Sequence, residues 1–246
     1  MTTPRQGGWR LQVHEVLPST SDLCRSLAAD GEAEGLAVLA LRQTQGRGSR
    51  GRDWQSPAGN FYASMLLRPQ ERARDAGQWS LLAGVALADA LAALLPHPAA
   101  LRLKWPNDVL LGGAKLAGIL VDSAAAPDGS LDWLVIGIGV NLAVAPGVPG
   151  RTVAALADVV VPPAPQDFAV RLLAALDHWR QIKAQHGFAA IRDAWLARAP
   201  DIGTAMGFRA GERVLSGAFA GLGPDGTLLL QTTQGVRAYS TGEVLT

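Results

Sequence analysis

The chain has 246 residues and a formal net charge of +1, so no global field recruits nucleic acid or an anionic membrane. With 48% hydrophobic and 17% charged residues it lies far from the disordered regime, and at the usual ~150 residues per domain it makes one large domain or one plus a small appendage. The single cysteine, Cys24, excludes an internal disulfide and fits a reducing, cytoplasmic setting, and with four scattered histidines (His14, His97, His178, His186) it cannot build a zinc cage. No apolar run reaches the ~18 residues of a membrane span, and the N-terminal MTTPRQGGWR lacks a signal-peptide core.

Residues 9–17 predict a short strand. Ser19, Thr20 and Ser21 offer N-caps to a helix running to about Ala29, stopped by Asp30-Gly31. Residues 36–41 are an apolar run of strand length, followed from Arg42 to Asn60 by a polar segment rich in glycine and arginine. Loops of that length without structure of their own are usually functional. Phe61–Leu67 predicts a strand and Trp79–Leu95 a buried helix, and several short strands follow from Leu101 to Val140, with turns at Gly112-Gly113 and Pro127-Asp128-Gly129. Helical spacing covers Phe168–His186 and Phe188–Ala199, broken at Gly187, and Pro200 closes it. The glycine-rich, alternating tail from 204 to 246 predicts a small β-barrel. The expected fold class is therefore α+β, a mixed β-sheet backed by helices over residues 1–200, with a small β domain over 201–246.

Gly46, Gly48 and Gly51 satisfy G-x-G-x-x-G, but loop residues follow where a dinucleotide fingerprint requires a helix. The same span has Walker A spacing, yet Arg52-Asp53 stands where Lys-Ser/Thr is required. What remains is charge: Arg42, Arg47, Arg50 and Arg52 against Asp53 give residues 42–54 a local charge of 4 − 1 = +3. Glycines let backbone amides approach an anion, and guanidinium groups grip phosphate with two N–H bonds. The residues alone leave a phosphate clamp and a solvated surface loop both open, and leave Trp54 either stacking on a base or pinning the loop to the core.

In RLKWPNDVLLGGAKLAGILVDS, residues 102–123, Lys104 and Lys115 sit within strongly apolar strand sequence. A buried ammonium without a partner costs several kcal/mol, so each lysine implies an anion. That anion is either Asp108 or Asp122, in a structural pair, or a ligand. Further on, IGIGVN (136–141) has two glycines where a strand passes close to a ligand or makes a bulge.

Taken together, STSD at 19–22, QTQGRGSRGRDW at 43–54, and KWPND, KLAGIL and IGIGVN within 104–141 resemble the biotin protein ligase family. The blocks stand in the family's order and spacing over roughly residues 15–145, and their combination is specific where no single block would be. The chain resembles the monofunctional type, which lacks the DNA-binding helix-turn-helix. The resemblance implies a class II synthetase-like biotin/lipoate ligase catalytic domain followed by an SH3-like barrel. It implies an enzyme that uses ATP and Mg²⁺ to make biotinyl-5′-AMP and then transfers biotin to a lysine of a biotin carboxyl carrier protein. Neither DNA nor membrane is expected as a partner, and a homodimer through a sheet edge is implied by resemblance alone.

Carried over by position, the biotin site comprises Ser19, Thr20, Ser21, Gln43, Gly46, Arg47, Gly48, Ser49, Lys115 and Gly118, with Lys115 and Arg47 catalytic. Arg50, Arg52, Trp54, Lys104, Asn107 and Asn141 fall to ATP and the adenylate, and Asp108 to magnesium. Two positions depart from the family: Ser21 stands where asparagine is common, and Ser49 where many members carry a second arginine that helps hold the adenylate. Two alternatives stand beside this reading. One is a lipoate or octanoate ligase or transferase of the same fold, and the other a non-catalytic biotin or nucleotide sensor.

Overall fold

The computed structural model describes residues 5–6 and 8–245; residues 1–4 of the N-terminal stretch read for a signal peptide lie outside the described residues, as do Gly7 and Thr246. Among the described residues eight strands form the main sheet: β1 (Arg5–Gln6), β2 (Trp9–His14), β3 (Leu36–Ala40), β4 (Phe61–Leu67), β5 (Leu101–Lys104), β6 (Asp108–Leu111), β7 (Ala114–Ala125) and β8 (Leu131–Val140). Their order across the sheet is β1-β2-β3-β4-β8-β7-β6-β5, parallel only between β2 and β3 and antiparallel elsewhere. The predicted mixed sheet is therefore present.

Side chains alternate across a strand, and the apolar residues sort onto two faces accordingly. Leu36 and Val38 of β3, Leu66 of β4 and Val135 of β8 pack with Cys24 and Ala28 of α1 (Thr20–Ala29). Their neighbours Ala37, Leu39, Met65, Leu67, Leu134 and Ile136 face the larger core, built with α2 (Gly77–Ala92) and α3 (Pro165–Leu196). Burial pushes the Cys24 thiol up to about 12, helped by the Glu32 charge, which leaves it an inert core group.

Helix α1 matches its predicted span, with Ser19 at the N-cap accepting the Asp22 N–H at 3.3 Å. The first large strand is shorter than predicted, because Leu17 leaves the sheet to bridge Gln43. Helix α2 is buried nearly all round and ends at Ala92, before the predicted Leu95: Leu94 and Leu95 donate to Leu91 and Ala92 in a tightened turn ahead of Pro96. In α3, Gly187 sits at φ 72° and splits the helix where the sequence predicted a break.

After α3 the tail forms β9 (Ala205–Ala210), β10 (Arg213–Leu222), β11 (Leu228–Thr232), β12 (Gly235–Tyr239) and β13 (Glu243–Leu245). They make an antiparallel sheet in the order β12-β11-β10-β9-β13, so among the described residues β12 and β13 are its edges. This small sheet is seated on the rest: Phe208, Phe219, Leu222 and Leu230 join the larger core, and the Trp105 indole N–H donates to the Gly226 carbonyl at 3.1 Å.

Candidate active site

The α1 side of β4, β8 and β7 carries unusually small residues where it runs past the start of α1. Register places Tyr62, Gly139 and Gly118 in one cross-strand row and Ser64, Gly137 and Leu120 in the next. With so little side chain on three adjacent strands, the sheet becomes the floor of a cavity of about 430 Å³. The N-terminus of α1, the Arg42–Asn60 loop and the segment after β8 wall it.

At one end the start of α1 is a polar network. Gln43 Oε1 accepts the Thr20 backbone N–H at 2.8 Å, while its Nε2 donates to Ser56 Oγ at 3.0 Å. Ser64 Oγ bonds the hydroxyls of both Thr20 (2.9 Å) and Ser21 (3.1 Å). Thr20, Ser21 and Gln43 line the cavity; Ser19, buried in its capping role, does not.

The glycine-arginine loop folds back on itself as the roof. The Gly48 N–H donates to the Arg52 carbonyl at 2.7 Å and the Trp54 N–H to the Gly46 carbonyl at 2.9 Å, closing a turn with Arg50 in the left-handed region at φ 61°. Trp54 drops from this roof onto the glycine floor. A methyl at Gly139 would lie 2.6 Å from Trp54 Nε1, so only glycine admits the ring. Of the two readings open for Trp54 in the sequence, the pin is thus present, yet its buried Nε1 has no hydrogen-bond partner and lies in the cavity. Such a donor is one that a ligand would satisfy.

Carboxylates hold three of the four loop guanidiniums. Arg47 pairs with Asp22 at 2.7 Å and lies 3.7 Å from Asp122, whose Oδ2 is otherwise unpaired. Arg50 and Arg52 both pair with Glu243 of β13, at 2.8 and 2.7 Å. Arg47, Gly48, Ser49 and Arg52 line the cavity, whereas Gly46 is packed against the Trp54 carbonyl and Arg50 turns outward to Glu243.

Lys115 enters from β7 opposite the roof. Of the two carboxylates that the sequence left open it takes Asp108, the first residue of β6, and its Nζ also sits 5.5 Å from the centre of the Trp54 ring. Asn107 and Asn141 line the cavity too, though each spends its amide on the backbone: Asn107 Nδ2 donates to Ile119 O (2.7 Å) and Asn141 Nδ2 to Ala154 O (3.1 Å). Lys104 and Asp108 do not line the cavity. Burial pushes the Lys104 ammonium below its ordinary value, with Asp108 acting against that shift. The resemblance also assigns Asp108 to magnesium. Its carboxylate is given to Lys115, and no group of three or more His, Cys, Asp or Glu among the described residues fits a metal ion.

Sequence reasoning missed Asp22, Arg151 and Glu243. Asp22 stood inside the quoted STSD block without a role, and Arg151 and Glu243 sit in none of the quoted blocks.

The model of the biotin/lipoate A/B protein ligase family matches residues 13–141. The chain belongs to that family. Its similarity runs to the biotin side of it. A biotin–[acetyl-CoA-carboxylase] ligase of Paracoccus denitrificans is 40% identical over 236 residues, 90% of this chain and 98% of the relative. The bifunctional ligase/repressor BirA of Bacillus subtilis is 31% identical over 96% of this chain and 74% of its own. A solved biotin protein ligase from Aquifex aeolicus, in complex with biotin and ATP, superposes with a TM-score of 0.78 at 25% identity, covering 96% of this chain and 97% of that one.

Proposed function

We propose that the protein joins biotin to ATP as biotinyl-5′-AMP and transfers the biotinyl group to a lysine of a biotin carboxyl carrier protein. One observation carries this reading: the polar start of α1, the arginine-glycine roof and Lys115 converge on a single cavity. Thr20, Ser21 and Gln43 take the ring system of biotin, and the cavity beside Trp54 takes its chain. Lys115, with Arg47 and Arg52 on the roof, faces the carboxylate and the phosphates.

In the first step a carboxylate oxygen attacks the α-phosphorus of ATP, and the bond to pyrophosphate breaks. In the second the ε-amine of the acceptor lysine attacks the acyl carbon, AMP leaves, and the amine's proton passes to solvent. The protein forms no covalent bond in either step. It brings two anions into line and offsets their repulsion with fixed cations in a site shielded from water. Lys115 neutralises the reacting oxygens, and Asp108 orients it. Magnesium is carried in on the phosphates of ATP as part of the substrate. The near-neutral net charge supports a ligase that does not bind operator DNA. A division near residue 200, where α3 has ended and the chain turns at Gly203 toward β9, is the domain boundary we infer.

The direct test is the mass of a carrier domain after incubation with the protein, biotin and MgATP. One biotinyl group on its lysine is expected, and no gain with lipoate in place of biotin. Equal transfer of lipoate would move the assignment to the lipoate ligases, and biotin-induced stabilisation without pyrophosphate release would make the protein a sensor.

A further inference from the structure

At the rim of the cavity three guanidiniums meet one carboxylate. Glu243 Oε1 accepts from Arg52 Nη1 (2.7 Å) and Arg151 Nη2 (2.8 Å), and Oε2 from Arg50 Nη1 (2.8 Å). The four residues come from three distant segments: the roof loop, the stretch after β8, and the last strand. Arg151 is held in place by its neighbours, since Lys115 N–H donates to the Thr152 carbonyl and Ala154 N–H to the Lys115 carbonyl, both at 2.9 Å. Arg52 and Arg151 line the cavity, and Glu243 stands behind them.

The cluster is incompletely matched in charge. Three guanidiniums against one carboxylate leave 3 − 1 = +2, in a partly buried place where Glu243 is 19% exposed. Each arginine gives Glu243 a single N–H bond, although a guanidinium fork is shaped for two. An anion with more oxygens and more charge than one carboxylate suits this trio, and a polyphosphate has both. Burial alone would raise the Glu243 carboxyl, but the Arg52 hydrogen bond and the charges of Arg52, Arg50 and Arg151 outweigh it and keep the group ionised.

We infer that Arg151 is a phosphate-binding residue for the nucleotide, and that Glu243 is the resident counter-anion which the triphosphate displaces from the three arginines. Glu243 is thus a positioning residue. It holds the roof and the Arg151 segment at the spacing that the phosphates later occupy, and it competes with them. The inference rests on reading the cavity as an ATP site.

Titration of the full chain with inorganic pyrophosphate tests it without requiring catalysis. Glu243→Gln keeps the shape and removes the competing charge, so about threefold or greater tightening of pyrophosphate is expected; unchanged or weaker binding would overturn the inference. Arg151→Ala is expected to weaken pyrophosphate binding and to raise the KM for ATP at least fivefold in biotin-dependent pyrophosphate exchange. The KM for biotin should stay within twofold, and Arg151→Lys should recover part of the loss. A variant that raises both KM values together, or moves neither, assigns Arg151 a structural role and contradicts the proposal. Wild-type chain that binds pyrophosphate as described but shows no biotin-dependent exchange would sink the ligase reading instead.

Discussion

A methyl group on Gly139 would sit 2.6 Å from the Trp54 indole, so Gly139→Ala forces the ring off the floor and the roof away with it. Overpacking of this kind costs on the order of 1–3 kcal/mol, which the mobile partner absorbs by moving. Biotin binding measured calorimetrically should weaken about tenfold, while wild-type affinity would show that the Trp54 seat is not part of the biotin site. Ser49 has a structural part as well, accepting Arg52 Nη2 at 3.1 Å and Arg52 Nε on its carbonyl at 3.2 Å. Arg50, the arginine next to Ser49, points to Glu243 and leaves the place of the missing second arginine unfilled. Ser49→Arg is therefore expected to slow release of biotinyl-AMP in the absence of carrier, and an unchanged off-rate would contradict this. For Glu243 the sign is fixed by its lowered carboxyl. The stability that it lends is present above the ordinary glutamate value of 4.5 and lost as pH falls through the lower folded value. The difference in melting temperature between wild type and Glu243→Gln should accordingly close at low pH, and a difference that persists there would mean the charge is not its source. These are half-exposed arginines, so the difference itself corresponds to no more than about 1 kcal/mol.

Elements were legible wherever period and punctuation agreed. The span of α1 follows from its serine cap and Asp-Gly stop, β4 from an apolar run, and the break in α3 from Gly187. Partners were less so. Lys115 had Asp108 and Asp122 as candidates, and the strand geometry decides between them. Pairing of β6 with β7 brings Asp108 opposite Gly118, whereas Asp122 lies seven residues along β7 from Lys115, about 23 Å at ~3.3 Å per residue. Asp122 is left to Arg47 instead. The roof loop was legible as functional from its length and its clustered arginines. Its anchoring was not, because Glu243 is 191 and 193 residues away from Arg52 and Arg50 and sits in no motif. With the roof tied to α1 at Arg47 and to β13 at Arg50 and Arg52, closure over biotin should reduce tryptic cleavage after Arg50 and Arg52. Equal cleavage with and without biotin would contradict such closure.

At the scale of the whole molecule, the small C-terminal sheet and the large one share apolar contacts. Phe208 packs against Trp105 with ring centres 6.1 Å apart, and Arg192 Nε donates to the Leu222 carbonyl at 2.8 Å. A shared core predicts one cooperative unfolding transition with equal calorimetric and van't Hoff enthalpies, and two separated transitions would contradict it. The same seating brings Glu243 to the arginines at the rim of the cavity, so the tail reaches the proposed phosphate site as well as the core. In the proposed reaction the chemistry turns on Lys115, which lines the cavity and is the cation assigned to the place where a carboxylate and an α-phosphate meet. Biotin-dependent exchange of labelled pyrophosphate into ATP isolates this step from the carrier. Wild-type chain should exchange only with biotin present, and Lys115→Ala, checked to be folded at the assay temperature, should lose at least a hundredfold in rate; a Lys115→Ala variant that exchanges at the wild-type rate would contradict the account.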